Sequence, residues 1–164
     1  MDVDLRAGIV RILKSDGTTA GTGFVVSEDG LLATCAHVIE NAGAGPGDAV
    51  RVVFHANDRE REAKVELDLW RPADAEDVAL LRLQGTLPRH VEALPLDRPD
   101  QSKRNSFETY GFPPVNPREG MWGSGQILGI LTAQGVPMIQ LRSQEVTAGF
   151  SGAPVWDRDI RKED

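Results

Sequence analysis

Cysteine is almost absent from this sequence, since Cys35 is the only one among 164 residues. A single cysteine excludes an internal disulfide and is typical of a protein from a reducing compartment. Long apolar runs are missing too. No stretch approaches the roughly 18 apolar residues of a membrane-spanning helix, and Met1 to Lys14 lack the apolar core of a signal peptide. These absences predict a soluble, cytoplasmic protein with no membrane partner.

The chain also has no run of basic residues. It carries 18 Lys and Arg against 25 Asp and Glu, which gives a formal net charge of −7. An acidic chain of this kind is poorly suited to phosphate backbones, so we expect no nucleic-acid partner. The apolar fraction of 40% and the charged fraction of 26% are those of an ordinary globular protein. Collagen-like, low-complexity and wholly disordered classes are thereby excluded.

Glycine (17) and proline (10) divide the chain into short segments. Many of these segments are β-branched or alternate between apolar and polar residues, which predicts an all-β fold of short strands. Six strands are predicted before residue 85 and four after residue 105: Ala7–Leu13, Thr22–Ser27, Leu31–Cys35, Ala49–Phe54, Ala63–Leu69, Asp77–Leu83, Ser106–Phe112, Gly125–Leu131, Pro137–Arg142 and Ala153–Trp156. Only Ala36–Asn41 is predicted to be helical.

The less regular stretch between the two groups of strands contains Pro88, Pro95 and Pro99 and is of mixed charge. We interpret residues 85–105 as a connector. It divides the chain into an N-terminal β-barrel over residues 1–84 and a C-terminal β-barrel over residues 106–164.

Three segments contain residues suited to chemistry: Thr34–Val38 with His37, Glu76–Leu83 with Asp77, and Gly149–Pro154 with Ser151. Taken singly, each has an ordinary structural interpretation. A lone histidine after an apolar run is usually a hydrogen-bonded structural residue, an aspartate before a strand usually closes a turn, and a serine between glycines fits a tight turn.

Together, the three residue types match the needs of acyl transfer by serine. The hydroxyl needs a base to accept its proton, and an imidazole supplies one. A carboxylate on the other ring nitrogen fixes the tautomer and stabilises the imidazolium. The order His37, Asp77, Ser151 differs from the orders of α/β-hydrolases and of subtilisin-like enzymes.

With this order, the sequence resembles the chymotrypsin-like (trypsin-fold) serine peptidases, in particular the bacterial disulfide-free branch related to the Deg/HtrA type. The matching segments are T-x-A-H at Thr34–His37, D-V-A-L-L at Asp77–Leu81 and G-x-S-G-x-P at Gly149–Pro154, supported by Gly21–Val26 and Gly111–Pro113. The resemblance implies two six-stranded antiparallel Greek-key barrels.

The resemblance also implies a role for each matched residue. His37 would be the general base, Asp77 its orienting carboxylate and Ser151 the nucleophile of an endopeptidase acting on protein or peptide substrates. The N–H groups of Gly149 and Ser151 would form the oxyanion hole. Asp74 is a rival for the acid but lacks a following apolar strand.

Two positions near the nucleophile bear on activation and specificity. Where trypsin has an aspartate that pairs with a new N-terminus, this chain has Phe150, so we expect packing to hold the loop. Glu145 lies six residues before Ser151 and, with Thr147, is a candidate substrate-binding residue that would favour Lys or Arg beside the cut bond. The alternative for Glu145 is an ordinary solvated strand-end glutamate.

Thirteen residues follow Ser151, and the charged tail DRDIRKED does not supply the two further strands that the family has there. We therefore expect a second barrel that lacks its last two strands. Two hypotheses follow: a serine endopeptidase, or a trypsin-like module without turnover that binds or senses partners within a larger protein. Further C-terminal domains or a second chain would then complete the barrel.

Metal-ligand spacing is absent among His37, His55, His90 and Cys35, so the sequence predicts neither a metal nor a cofactor. Cys35 lies two residues before His37, and we interpret it as a small buried thiol.

Overall fold

The computed structural model describes residues 4–160. The protein is mostly β, as predicted, with a closed six-stranded antiparallel barrel followed by a four-stranded antiparallel sheet. The strands are β1 (Ile9–Leu13), β2 (Thr19–Val25), β3 (Leu31–Thr34), β4 (Ala49–Phe54), β5 (Glu60–Arg71), β6 (Val78–Leu83), β7 (Ser106–Gly111), β8 (Met121–Ala133), β9 (Val136–Ser143) and β10 (Trp156–Asp157). One short helix, α1 (Ala36–Asn41), and two 3₁₀ turns, Leu5–Gly8 and Pro99–Gln101, accompany them in this part of the chain.

The barrel closes in the strand order β1-β2-β3-β6-β5-β4. Strand β6 illustrates how the sequence pattern forms the barrel wall. Its residues Ala79, Leu81 and Leu83 are buried inside the barrel, while the residues between them face outward. Their side chains join a single apolar core in which Ile12, Val52 and Phe54 are fully buried. This core makes the barrel a rigid support for residues that lie at the ends of its strands.

The second sheet has the order β10-β7-β8-β9 and does not close within residues 4–160. Strand β9 forms one edge and β10 the other. Ile130, Met138 and Ile139 of the outer hairpin are 40–55% exposed. Over the described residues the second unit thus has the four strands expected in place of six, arranged as an open sheet that is consistent with a truncated chymotrypsin-like double barrel.

Apolar side chains join the barrel to the sheet. Leu5 and Ile9 from the start of the chain pack with Leu94, Tyr110 and Phe112, and all five are buried. Across the same boundary, the Thr19 hydroxyl donates a 2.6 Å hydrogen bond to the carbonyl of residue 117. This apolar contact sets the position of the sheet, and therefore of the loop before β10, against the barrel.

Several predicted boundaries were wrong, although the ten strands and the helix found within residues 4–160 agree with the prediction. The first strand begins at Ile9, because Leu5–Gly8 forms a 3₁₀ turn capped by the Asp4 side chain. Strand β2 begins at Thr19, where it pairs with Leu13 to close the hairpin. Pairing overrides local hydrophobicity at such boundaries.

The other wrong boundaries, those of β5, β8 and β10, are explained by strand pairing or by a proline. Strands β5 and β8 extend beyond their apolar centres, to Glu60–Arg71 and Met121–Ala133, because each pairs with two neighbours. The last strand covers Trp156–Asp157 instead of Ala153–Trp156, since Pro154 has no N–H group to donate to β7. The domain boundaries at residues 84 and 105 remain predictions.

No helix in the described part of the chain is long and apolar enough to cross a membrane.

Candidate active site

His37 lies in the first turn of α1, directly after β3, and Asp77 lies directly before β6. Because β3 and β6 are paired neighbours, these two strand ends meet at one rim of the barrel. One carboxylate oxygen of Asp77, Oδ1, accepts the backbone N–H of His37 at 2.8 Å. The other, Oδ2, lies 2.5 Å from the ring Nδ1. Asp77 therefore holds His37 by its backbone and by its ring at once.

The backbone of Asp77 adopts a left-handed conformation, with φ at 57°. Aspartate and asparagine tolerate this region better than most residues do. The N–H of Asp77 donates to the carbonyl of Pro72 at 3.0 Å, which closes the turn that aims the carboxylate at His37. The rival acid, Asp74, is exposed, and the carboxylate in contact with the imidazole is that of Asp77.

Ser151 reaches the barrel because its loop is hydrogen-bonded to β2. The N–H of Thr22 donates to the carbonyl of Ser151, and the Thr22 hydroxyl donates to the carbonyl of Gly149, both at 2.9 Å. Thr34, at the end of β3, donates its hydroxyl to the carbonyl of Thr22 at 2.7 Å. Through these bonds the strand that precedes His37 also positions the loop that carries Ser151.

Two glycines let this loop take its path. Gly149 and Gly152 have φ values of 95° and 87°, in the left-handed region. A Cβ on Gly149 would lie 2.5 Å from the Phe112 carbonyl oxygen, and one on Gly152 would overlap the backbone oxygen of Thr22. Over residues 4–160, the N–H groups of Gly149 and Ser151 donate to no backbone carbonyl. These two donors are the groups predicted to form the oxyanion hole.

The loop that carries Ser151 is held by packing of Phe150, at the position where trypsin has an aspartate that forms an ion pair. Phe150 is 5% exposed, and its ring lies against the backbones of Gly111 and Gly123. A Cβ at Gly111 would come within 2.7 Å of that ring. A phenylalanine fits here only because the facing strands carry glycine.

The hydroxyl of Ser151 makes no hydrogen bond to His37 within the described range. Catalytic hydrogen bonds are often long in unliganded enzymes and shorten when substrate binds. The His37 side chain is 38% exposed, so part of the ring is open to solvent.

Glu145 and Thr147 are both exposed in the loop between β9 and Ser151. The Glu145 carboxylate accepts the Ser143 hydroxyl at 3.1 Å and the Ser124 N–H at 3.4 Å. Hydrogen bonds from its own N–H and from Ser124 lower the pKa of Glu145, so the group stays ionised. The Glu145 carboxylate thus accepts hydrogen bonds from residues of both β8 and β9.

Cys35 lies beside the histidine and the aspartate, a proximity that sequence reasoning did not assign to the site. Burial raises the pKa of its thiol to about 11; the Asp77 charge adds to the rise, and the Gly152 N–H opposes it. The thiol is therefore protonated at neutral pH and is a poor nucleophile. No signal in the sequence indicates the part played by Thr22, although its segment, Gly21–Val26, matches a motif of the family.

Comparisons with known proteins agree with this architecture. The family model described as a trypsin-like peptidase domain matches residues 21–161. No curated protein matches the chain. Among solved structures, the HtrA-type protease AlgW with a decapeptide is 23% identical with a TM-score of 0.67, covering 85% of this chain and 40% of that one.

A variant of AlgW with a tripeptide is 20% identical with a TM-score of 0.69, covering 92% of this chain and 46% of that one. The chain thus spans less than half the length of the solved proteins that it resembles, and at these identities the likeness is one of fold.

Proposed function

Because the chain belongs to the trypsin-like peptidase domain family, we propose that it is a serine endopeptidase that cleaves protein or peptide substrates. The proposed mechanism forms an acyl-enzyme on Ser151. The observation that carries the proposal is the double contact of Asp77 with the backbone and the ring of His37. A structural histidine needs one such partner, whereas a base must be held in one orientation and one tautomer.

His37 acts as the general base in this mechanism. The carboxylate at Nδ1 favours the tautomer in which that nitrogen carries the proton, which leaves Nε2 free to accept the proton of the Ser151 hydroxyl. As the hydroxyl oxygen attacks the scissile carbonyl, the imidazole becomes positively charged. The adjacent Asp77 carboxylate stabilises that charge.

The developing oxyanion is stabilised by the N–H groups of Gly149 and Ser151, which are free of backbone partners in the range 4–160. His37 then donates its proton to the leaving amine, and the amine departs. Water, deprotonated by the same histidine, attacks the acyl-enzyme and releases the acid product. The hydrogen bonds from Thr22 and the packing of Phe150 fix the path of the loop that carries both donors.

Labelling with a fluorophosphonate probe tests the proposal, because only an activated serine reacts readily with it. We expect the protein to be labelled, Ser151→Ala to be unlabelled, and His37→Ala to be labelled more slowly by several orders of magnitude. Ser15→Ala, at an exposed turn residue, is the matched control and should be labelled normally. A folded protein that takes up no probe would contradict the proposal.

A second candidate function is a binding or sensing module without turnover. It is favoured by the open second sheet, in which β9 and β10 are edge strands over the described residues and β9 is largely exposed. Exposed edge strands pair readily with other chains. A protein that stays folded, fails to react with the probe and elutes as a dimer or a complex would favour this candidate over the peptidase.

Substrate preference and cellular location remain predictions. Glu145 and Thr147 lie exposed near the nucleophile loop, and a preference for Lys or Arg at the cut bond predicts that Glu145→Gln changes the cleavage profile of a peptide library. An unchanged profile would assign Glu145 to the β8–β9 hairpin alone. The cytoplasmic location is supported by the single cysteine.

A further inference from the structure

Three side chains of different chemistry meet at the rim of the barrel. One ligand atom from each of Cys35, His37 and Asp77 lies within 4.8 Å of the other two. Cys35 directly precedes α1 and His37 is in its first turn, while Asp77 comes from the start of β6, so the fold brings together residues 40 positions apart. The sequence spacing did not predict this cluster.

The donor set of the cluster is the one that Zn²⁺ prefers. Zinc binds Cys sulfur at about 2.3 Å, His nitrogen at about 2.0–2.1 Å and carboxylate oxygen at about 2.0–2.2 Å, with tetrahedral geometry. Ligand atoms around such an ion are about 3.4–3.7 Å apart, so atoms within 4.8 Å need to move by roughly an ångström. Rotation of side chains supplies that much movement without a change in the backbone.

The cluster is also accessible. The side chains of His37 and Asp77 are 38% and 25% exposed, so an ion can reach them from solvent and keep a water molecule as its fourth ligand. Cys35 is partly buried.

From these observations we propose that Cys35, His37 and Asp77 form a binding site for Zn²⁺, and that the bound ion reversibly blocks the peptidase reaction. The inhibitory part of this inference rests on the proposed function. The binding part rests on the cluster alone.

The ion would inhibit the peptidase reaction because of the ring nitrogen of His37 that it would bind. Nδ1 is the ring atom beside the carboxylate, so it is the one that shares an ion with Asp77 and Cys35. Binding releases the thiol proton to solvent, and the proton of the neutral imidazole moves from Nδ1 to Nε2. With Nε2 protonated, His37 is no longer able to accept the proton of Ser151.

Cobalt absorbance tests the binding part. Cobalt(II) occupies zinc sites and shows thiolate-to-metal charge transfer in the near ultraviolet when a cysteine is a ligand. Because Cys35 is the only cysteine in the chain, such a band in the full-length protein identifies this site. We expect the band in the native protein and in Ser151→Ala, its loss on adding zinc, and its absence in Cys35→Ala. A native protein without a thiolate band would overturn the proposal.

Zinc titration of peptide hydrolysis tests the inhibitory part, with each variant compared with its own zinc-free rate. Loss of one ligand should raise the half-inhibiting zinc concentration of Cys35→Ala at least 10-fold, since even the loss of an outer-shell partner costs 10–100-fold. His90→Asn, at an exposed histidine with φ of 68°, is the matched control and should be inhibited like the native protein.

The two measurements separate the possible failures. A thiolate band in an active enzyme that zinc does not inhibit would overturn the inhibitory part. Equal inhibition of the native protein and Cys35→Ala would place the inhibiting ion elsewhere and overturn it as well. If the protein shows no hydrolysis at all, the proposed function fails, while the cobalt band still decides whether the metal site exists.

Discussion

Replacement of Gly152 by alanine tests how the loop that carries Ser151 is held against the barrel. Gly152 has φ of 87°, and an added Cβ would overlap the backbone oxygen of Thr22 and the hydroxyl of Thr34. Both of these atoms belong to paired barrel strands, so the barrel cannot move to accommodate the methyl group. The loop must move instead, and it carries Ser151 with it.

Gly43 offers a matched control, because its φ of 84° is nearly the same and an added Cβ would meet nothing within 4 Å. Alanine at either position carries the cost of a left-handed conformation, about 1–2 kcal/mol. Gly152→Ala adds overpacking of about 1–3 kcal/mol. It also breaks the 2.9 Å bond from the Thr22 N–H to the Ser151 carbonyl, worth about 1 kcal/mol. We therefore expect Gly152→Ala to lose about 2–4 kcal/mol more than Gly43→Ala.

Urea denaturation measures the difference in the free energy of unfolding between the two variants. The rate of fluorophosphonate labelling reports whether Ser151 is still placed to react. A displacement of about 1 Å in a catalytic group lowers rates roughly 100-fold, so labelling of folded Gly152→Ala should fall by at least that factor. Gly43→Ala should be labelled at the native rate. If the two variants unfold within about 0.5 kcal/mol of each other and label equally, the loop is not held by β2 in the way described.

Three further predictions concern the neighbours of the site. Phe150→Ala should lower the free energy of unfolding by about 3–5 kcal/mol in urea, because the ring is buried against Gly111; a loss below about 1 kcal/mol would show that packing does not hold the loop. Asp77→Asn keeps the left-handed backbone, which asparagine tolerates, and should lower kcat on the order of 10⁴-fold by presenting the wrong tautomer of His37; a loss below about 10-fold would exclude Asp77 as the orienting acid. Burial lowers the pKa of His55 below its ordinary value of 6.5, and the nearby Arg6 adds to the effect. As the pH falls, the histidine is therefore protonated in the unfolded chain before it is protonated in the folded protein. The free energy of unfolding should consequently decrease as the pH falls below about 6.5. His55→Gln should reduce this slope in urea unfolding between about pH 7.5 and 5.5, and an unchanged slope would assign the dependence to other groups.

Local sequence patterns determined most strands of this protein, the backbone of the loop around Ser151 and the family to which the chain belongs. The alternation of apolar residues in segments such as Val78–Leu83 predicted the strands, and the glycines around Ser151 predicted a loop with an unusual backbone. The order of His37, Asp77 and Ser151 predicted the family, because each residue stands in a short motif with its own strand context. These properties are local, so one segment of the chain carries each of them.

The tertiary structure decided the properties that depend on distant contacts. Strand ends followed pairing, so β5 and β8 extended past their apolar centres. Thr22 supports the loop that carries Ser151 through a hydrogen bond to Gly149, 127 residues away, and Cys35 lies close to Asp77. No local pattern encodes such pairs, because their separation is set by the closure of the barrel and by the apolar contact that docks the second sheet on it. The scarcity of cysteine was plain in the sequence, whereas only the fold determined what lies next to its single thiol.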